Sequence, residues 1–324
     1  MGDNKLVSII VPCYNHKDFL DDCIKGILSQ SYDAIEVLIC DDCSPDNSFE
    51  IIKSYEKKLN ARFSRVELIC NETNQGVTKN INGMLSVARG EYIKIIASDD
   101  VLLPSAVEAA VEYFESHLDE DILICNGAKI PENQHYGQFE MNELVYTNSP
   151  NLDSPNLLEE VYTLNKIFAP GAFIRKMVFE KVGYYDENIA IEDWEFWLRV
   201  LSNGASKFGY LHQPLVLYRI NENSMTSMSN NSRLEARRIR IYRAEMDILK
   251  KYRDSVSEEV SARCILGKLI AEKDIAVSRK LGELEKIVDN ELKIFVGWGK
   301  IPMKHRFKYA LKLGKIYVKK CVKK

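Results

Sequence analysis

Paired acidic residues follow two apolar runs of this 324-residue chain, where they could do chemistry. Asp41 and Asp42 close one run, and Asp99 and Asp100 close another. Neither pair has an adjacent basic residue, and carboxylate oxygens are the ligands that hard divalent cations prefer. The pattern predicts a cation site, and a cation held there would in turn hold a phosphate-bearing substrate.

Two further places carry polar residues where a site could form. The segment Pro12-Cys13-Tyr14-Asn15 closes the first apolar run and reads as a turn or as part of a binding loop. Asp193 precedes an amphipathic segment whose apolar positions include Trp194 and Trp197. A carboxylate at a helix start can cap the helix or take a proton in catalysis, and both interpretations stay open.

The elements that must position these side chains alternate between strands and helices. The strand-like runs are short and β-branched, and periods typical of helices separate them. The predicted strands are 6–11, 35–40, 66–70, 92–97 and 122–125, and the predicted helices are 19–30, one beginning at Ser44-Pro45-Asp46, 77–88 and 104–114. This alternation predicts an α/β fold with a doubly wound, mostly parallel sheet and helices on both faces. In such a sheet ligands bind beyond the carboxyl ends of the strands, where the carboxylates stand.

The remaining segments differ from this core. Residues 127–160 read as an irregular insert, and residues 232–292 are helical and charged, without strands. The predicted domains are therefore 1–225, a helical extension over 226–292 and a tail over 293–324.

Composition excludes several classes of protein. An apolar content of 46% and a net charge of −3 are typical of a packed globule and argue against disorder and against a dedicated nucleic-acid binder. Most of the eight cysteines lie in apolar runs, which predicts free thiols in a reducing compartment. We find no signal-peptide pattern and no apolar stretch of about 18 residues, which predicts a cytoplasmic protein.

Read together, the four places resemble the family 2 glycosyltransferases over about residues 5–220. Any one piece is weak, but the ordered set is specific. The runs that carry the resemblance are Val7–Asn15, Ile27–Tyr32, Ile35–Ser44, Asn74–Thr78, Gly90–Ile93, Ser98–Asp100 and Glu192–Trp194. The resemblance implies the GT-A fold, a nucleotide-sugar donor that is usually UDP-linked, Mn²⁺ or Mg²⁺ as cofactor, and inversion at the anomeric carbon.

The resemblance also implies roles for individual residues. Asp99 matches the metal-binding aspartate of the family's DxD motif, and Asp193 matches the catalytic base. Nucleotide-sugar binding is implied for Pro12, Tyr14, Asp42, Asn74, Lys79, Asp99 and Asp100, with Asp42 against uracil. His212 and the loop 219–224 fall where some members close over the diphosphate.

Two positions depart from the family pattern. Ala97 replaces the first aspartate of DxD, and Ile81 stands where the family often has a basic residue, with Lys79 the nearest substitute. They leave open a second class, a degenerate transferase that binds a nucleotide or glycan without turnover. A dinucleotide oxidoreductase would need GxGxxG after the first strand, and a P-loop enzyme GxxxxGK[ST]; neither motif is present.

Charge is distributed unevenly along the chain. Eleven basic residues and no acidic one follow Glu291, whereas the other 33 of the 44 basic residues and all 47 acidic residues precede them. The body therefore carries a net charge of −14. In the tail, apolar residues recur at three- and four-residue steps, which predicts a basic amphipathic helix at an anionic membrane surface or a solvated structural helix. The expected location is the inner face of the plasma membrane, with a glycan or lipid-linked glycan as acceptor and no nucleic acid as partner.

Overall fold

A computed structural model describes residues 5–137, 145–146, 151–204, 206–221 and 233–297. Nine strands and eleven α-helices lie within these ranges. The strands are β1 (Val7–Cys13), β2 (Ile35–Asp41), β3 (Arg65–Cys70), β4 (Tyr92–Ile95), β5 (Val101–Leu102), β6 (Ile122–Pro131), β7 (Val145–Tyr146), β8 (Ala172–Arg175) and β9 (Phe208–Ile220). The helices are α1 (Lys17–Leu28), α2 (Ser48–Ser54), α3 (Glu56–Arg62), α4 (Val77–Val87), α5 (Ala106–Ser116), α6 (Leu157–Thr163), α7 (Met177–Val182), α8 (Glu192–Asn203), α9 (Leu234–Lys251), α10 (Glu258–Arg279) and α11 (Gly282–Gly297).

The chain divides into two compact units. The first comprises Met1–Leu157, Lys166–Glu187 and Glu192–Ser224, and the second Leu158–Asn165, Asn188–Ile191 and Met225–Lys324. All strands belong to the first unit. The second is helical within the part that the structure describes, which confirms the predicted helical extension.

The first unit is built on one mixed sheet. Its strand order is β3-β2-β1-β4-β8-β6-β9-β5, with β7 paired to β6. The β3-β2-β1-β4 half is parallel, and β8 then joins β4 in the antiparallel direction. The chain runs outward from β1 to β3 and returns to the other side of β1 as β4, so the strand order reverses at β1. The carboxyl ends of β1, β2 and β4 therefore lie side by side, where an open α/β sheet binds its ligands. The predicted α/β fold is confirmed.

The central strand shows why its sequence has no polar alternation. Val7, Ile9, Ile10 and Val11 are all fully buried, because both faces of the sheet are covered. The prediction that Pro12 ends this strand is wrong, since β1 continues through Cys13 in register with β2. The described pairing of β1 with β4 stops near Ile10, and a proline is tolerated where a strand has lost one of its partners.

Two other boundaries differ from the predictions. The helix expected from Ser44 begins at Ser48, because the loop before it is used to hold α1, as described below. The insert expected from residue 127 begins later, since β6 runs to Pro131 along β9. Cys70, at the end of the predicted strand 66–70, is exposed because β3 is the edge strand.

Buried charges in the second unit are paired. Lys273 is fully buried on α10, and its Nζ lies 3.0 Å from a Glu285 carboxylate oxygen and 2.6 Å from one of Asp289 on α11. Such pairing is what makes a buried lysine tolerable. The predicted tail begins at Lys293, but α11 runs through Gly297, and residues 298–324 lie outside the described residues.

Candidate active site

The loop after β1 is fastened to the loop after β2 by three successive backbone groups. The N–H of Asn15 donates to Ser44 Oγ at 2.9 Å, and the N–H of His16 donates to Ser48 Oγ at 3.2 Å. The N–H of Lys17 donates to Asp46 Oδ2 at 3.0 Å. The first N–H groups of a helix have no partner within it, so these contacts act as caps for α1 supplied from another loop.

Backbone strain concentrates in the same two loops. Asn15 and Cys43 adopt φ of 58° and 60°, a left-handed conformation that asparagine tolerates better than cysteine. Strain of this kind persists where surrounding contacts impose it and is frequent at functional sites. Tyr14 is 48% exposed beside Asn15, and Pro12 is half-buried, so both can form part of the expected nucleoside pocket.

Asp42 organises the loop between β3 and α4. Its carboxylate accepts the N–H groups of Gln75 at 2.7 Å and Gly76 at 2.8 Å, and the amide of Asn71 at 2.9 Å. Burial raises the pKa of Asp42, but these donors together with Asn80 outweigh it and hold the pKa below its ordinary value. Asp42 is only 3% exposed, but each of its carboxylate oxygens can accept two hydrogen bonds and therefore has acceptor capacity left for a ligand. Its contact with uracil stays a prediction.

The other predicted residues of this region lie on the same loop and helix. Asn74 is exposed and its amide donates to the Asp42 carbonyl at 3.3 Å, and its contact with a nucleotide stays a prediction. Lys79 is exposed on α4, whereas Ile81 is buried. Residues two apart face nearly opposite sides of a helix, so the geometry does not support Lys79 as a substitute for a basic residue at position 81.

Asp99 and Asp100 have opposite environments at the end of β4. The Asp99 side chain is 15% exposed, and its Oδ2 lies 3.9 Å from His16 Nε2. Asp100 is buried, and its Oδ1 accepts the backbone N–H of Arg219 at 2.9 Å. Burial and the neighbouring charge of Asp99 raise the pKa of Asp100. Its placement does not support the expected contact with a nucleotide-sugar, which leaves Asp99 as the available carboxylate of the pair.

Arg219 joins the acidic segment to two distant elements. It is 1% exposed, its Nε donates to the Asp99 carbonyl at 2.9 Å, and its Nη2 donates to Asp22 Oδ2 at 2.9 Å. Its Nη1 donates to backbone carbonyls at the end of β6, including that of Glu132 at 3.1 Å. This arginine therefore holds the turn that carries Asp99, and its guanidinium donates to acceptors within the protein. This arrangement does not support the expected contact of Arg219 with a diphosphate.

His212 lines a different part of the first unit from the acidic segment. His212 lines a separate cavity of about 450 Å³ together with Tyr113, Asp153 and Tyr210. Residues 222–224 fall outside the described residues.

Arg219→Ala is expected to lower the free energy of unfolding by about 3–5 kcal/mol, because it removes the buried arginine that pairs with the buried Asp22 carboxylate. Chemical denaturation measures the change. Lys207→Ala is the matched control, since the Lys207–Asp119 pair is about 70% exposed and such pairs contribute roughly 0–1 kcal/mol. Equal losses in the two variants would contradict the structural role of Arg219.

Asp193 stands in the first turn of α8, as predicted, with its side chain half-buried. Its Oδ1 accepts its neighbour's N–H, that of Trp194, at 2.7 Å. Arg199 anchors this helix: it pairs with the buried Glu195 at 3.0 Å and donates to the carbonyls of Gly183 at 3.0 Å and Tyr184 at 2.7 Å. The structure thus holds the start of α8 in a fixed orientation, and the catalytic role of Asp193 stays a prediction.

The protein donors after β4 are too few to bind a divalent cation alone, but they could bind one together with substrate phosphates. Among the described residues, no group of three or more histidine, cysteine or acidic side chains could hold a metal. Asp99 and the facing His16 imidazole supply two donors of suitable type. Mg²⁺ is commonly bound by one or two carboxylates together with substrate phosphates, and such an arrangement suits this edge of the sheet.

Sequence reasoning missed His16, which contacts the acidic segment from the loop after β1. Arg219 was expected in the closing loop, whereas the structure shows it bonded to the Asp99 carbonyl. A histidine directly after the Tyr14-Asn15 turn was the one available signal.

Carboxylates and loop amides thus lie together at the carboxyl edge of a parallel half-sheet. The sequence profile described as "Glycosyl transferase family 2" matches residues 8–183, more than half of the chain. The chain belongs to this family.

Individual relatives agree with the assignment. The Escherichia coli protein named UDP-Glc:alpha-D-GlcNAc-diphosphoundecaprenol beta-1,3-glucosyltransferase WfaP is 27% identical over 210 residues, covering 62% of this chain and 72% of WfaP. The crystal structure of S. aureus TarS 1–349 in complex with UDP-GlcNAc superposes with a TM-score of 0.57 at 19% identity, covering 96% of this chain and 80% of that one.

A second solved structure is the mannosyltransferase PcManGT from Pyrobaculum calidifontis in complex with GDP-Man and Mn²⁺. Its TM-score is 0.57 at 14% identity, covering 100% of this chain and 89% of that one. At these identities the two structures establish the GT-A type fold alone. Within the described residues, every helix is too short or too polar to cross a bilayer.

Proposed function

We propose that this glycosyltransferase moves a hexosyl or N-acetylhexosaminyl group from a UDP-sugar to an acceptor hydroxyl with inversion, using Mn²⁺ or Mg²⁺. Asp99 holds the cation against the diphosphate, and Asp193 is the base. Pro12, Tyr14, Asp42 and Asn74 form the nucleoside side of the site.

The observation that carries this proposal is the convergence of separate segments at one edge. β2, β1 and β4 are consecutive strands of the parallel half-sheet, and residues implied by the family pattern lie within four positions of their carboxyl ends. These residues are Asp42 for β2, Pro12 and Tyr14 for β1, and Asp99 for β4. The Asp42 N–H donates to the Cys13 carbonyl at 2.9 Å, which ties the ends of β1 and β2 together. The fold thereby brings together residues far apart in the sequence on the side where ligands bind.

The proposed chemistry divides between two carboxylates. A cation at Asp99 supplies charge neutralisation for the departing diphosphate. The acceptor hydroxyl is a poor nucleophile, so Asp193 takes its proton as the oxygen attacks the anomeric carbon. A single displacement from the face opposite the leaving group inverts the configuration there.

A donor screen tests the proposal. UDP release is measured from each common UDP-sugar, with Mn²⁺ and with chelator, because hydrolysis or transfer liberates UDP whatever the acceptor. Metal-dependent release from one donor supports the function. Binding of UDP-sugars with no release, even with cell-envelope glycans added as acceptors, would favour the alternative suggested by Ala97, a degenerate binding module.

We extend the proposal to the pathway and the location. WfaP is named for a diphosphoundecaprenol acceptor, which supports a lipid-linked glycan acceptor in bacterial surface polysaccharide assembly for this chain as well. Such acceptors lie at the inner face of the plasma membrane. The basic tail, eleven basic residues without an acid, supports a cytoplasmic enzyme bound peripherally at that surface.

Deleting the residues after Lys300 is expected to leave activity on a soluble acceptor nearly intact and to release the protein from anionic vesicles. Each lysine or arginine near an anionic leaflet contributes about 1 kcal/mol, and the attraction weakens as the Debye length falls from about 10 Å at 0.1 M salt to about 3 Å at 1 M. Co-sedimentation at both salt concentrations measures the effect, with neutral vesicles as control. Equal recovery of both forms in the supernatant at low salt would reject the membrane role.

A further inference from the structure

Few side chains of the acidic segment are available to hold a cation. Ala97 stands at the first aspartate of DxD, and it is exposed at the edge of the sheet. Asp100 is turned into the interior and engaged by the Arg219 N–H. Asp99 is thus the remaining carboxylate of the segment that faces the site, and one carboxylate is a weak hold for a cation.

The His16 imidazole occupies the space opposite Asp99. His16 comes from the loop after β1 and Asp99 from the turn after β4, and these two strands are neighbours. The His16 Nε2 lies 3.9 Å from Asp99 Oδ2. The two residues are far apart in the sequence, and they meet because β1 and β4 are adjacent in the sheet.

Two contacts hold the His16 ring in this orientation. Its Nδ1 lies 2.8 Å from Oγ of Ser98, a residue 1% exposed, and its ring packs edge-on against Phe19 at 5.8 Å between centroids. In the tautomer whose Nδ1–H donates to Ser98, Nε2 is unprotonated and is the ring nitrogen 3.9 Å from Asp99 Oδ2. Metal-bound histidines commonly have their second nitrogen held by such a partner, which fixes the tautomer and the ring orientation.

The separation of the two donors suits a shared cation. Bonds of about 2.1 Å to each donor place a nitrogen and an oxygen about 3.0 Å apart at the right angle of an octahedral site. The 3.9 Å between His16 Nε2 and Asp99 Oδ2 would therefore shorten by about 0.9 Å on binding, which is within the reach of small side-chain rotations.

We propose that His16 Nε2 is the second protein ligand of the catalytic cation, beside Asp99. This inference rests on the proposed function, because the nucleotide diphosphate supplies the remaining ligands. A mixed imidazole and carboxylate set favours Mn²⁺ over Mg²⁺, since imidazole suits transition metals and Mg²⁺ prefers oxygen ligands.

Pulsed electron paramagnetic resonance on the Mn²⁺–UDP complex of the full chain tests the ligation directly. Nitrogen bound to Mn²⁺ gives a ¹⁴N coupling, and labelling all histidines with ¹⁵N converts it to the ¹⁵N pattern if an imidazole is the source. The coupling is expected in the wild type and in His117→Ala, a matched control that removes an exposed histidine at the end of α5. It is expected to vanish in His16→Ala.

A rescue experiment separates ligation from a merely structural role. His16→Ala is expected to weaken Mn²⁺ binding in the presence of UDP at least tenfold, by titration of the free Mn²⁺ signal. Adding Ala97→Asp to His16→Ala is expected to restore Mn²⁺ affinity without restoring the nitrogen coupling, and to raise Mg²⁺ affinity relative to Mn²⁺.

The outcomes of these experiments test the His16 ligand separately from the proposed transferase function. Mn²⁺ that binds with UDP through Asp99 but shows no histidine nitrogen coupling would reject His16 as a ligand and leave the transferase proposal standing. The same holds if His16→Ala lowers UDP affinity equally with and without metal, as expected for an imidazole that contacts the diphosphate. A wild-type protein that binds no Mn²⁺ with UDP would overturn both.

Discussion

Asp99→Ala is expected to abolish metal-dependent binding of UDP. Asp99 is the carboxylate of the acidic segment that faces the site, because Asp100 is buried and bonded to Arg219. A site built from one carboxylate, one further protein donor and the substrate phosphates rarely survives the loss of its main charged ligand. Titration calorimetry with UDP, in Mn²⁺ and in chelator, measures the loss as the disappearance of the difference between the two conditions.

Asp18→Ala is the matched control for this prediction. Asp18 is exposed in the first turn of α1, so its removal changes the net charge equally without touching the turn after β4. Metal-dependent affinity should persist in that variant. Unchanged metal-dependent affinity in Asp99→Ala would move the cation to another group and remove the main support for the proposed mechanism.

The edge of the sheet that carries the site could be predicted from the sequence. Buried strands appear in the sequence as continuous apolar runs, and the end of such a run predicts the end of the strand to within one or two positions. The sequence therefore predicts that Asp42 and Asp99 each follow the carboxyl end of a strand, without any knowledge of contacts. Asp193 followed in the same way from the helical period that begins beside it.

The roles of the individual carboxylates could not be predicted, since they depend on partners distant in sequence. Asp99 and Asp100 are adjacent, yet the N–H of Arg219, 119 residues further on, engages Asp100 and leaves Asp99 to face His16. Ser44 was read as a helix cap for α2, a local pattern, but its hydroxyl accepts the N–H of Asn15 instead. Local sequence rules cannot predict contacts between distant residues that only the folded sheet brings together.

Asp193→Asn is expected to lower kcat by about 10²-fold or more while preserving the fold and the binding of UDP-sugar. The amide keeps the shape of the carboxylate and can still accept the Trp194 N–H, and asparagine is as favourable as aspartate at a helix start. Helix α8 also stays anchored through Arg199 and Glu195. What is lost is a group able to take a proton from the acceptor hydroxyl, so the loss should fall on turnover and spare affinity.

Glu192→Gln is the matched control, because it removes the same charge from the same turn of α8. A base role for Asp193 requires the Asp193→Asn loss to exceed the Glu192→Gln loss by at least about tenfold in steady-state kinetics with the identified donor. UDP-sugar affinity, measured by calorimetry, should match the wild type in both variants. If Asp193→Asn turns over at a nearly normal rate, the carboxylate serves only as a cap for α8. The acceptor proton must then go to another base, and the single-displacement mechanism argued from Asp193 fails.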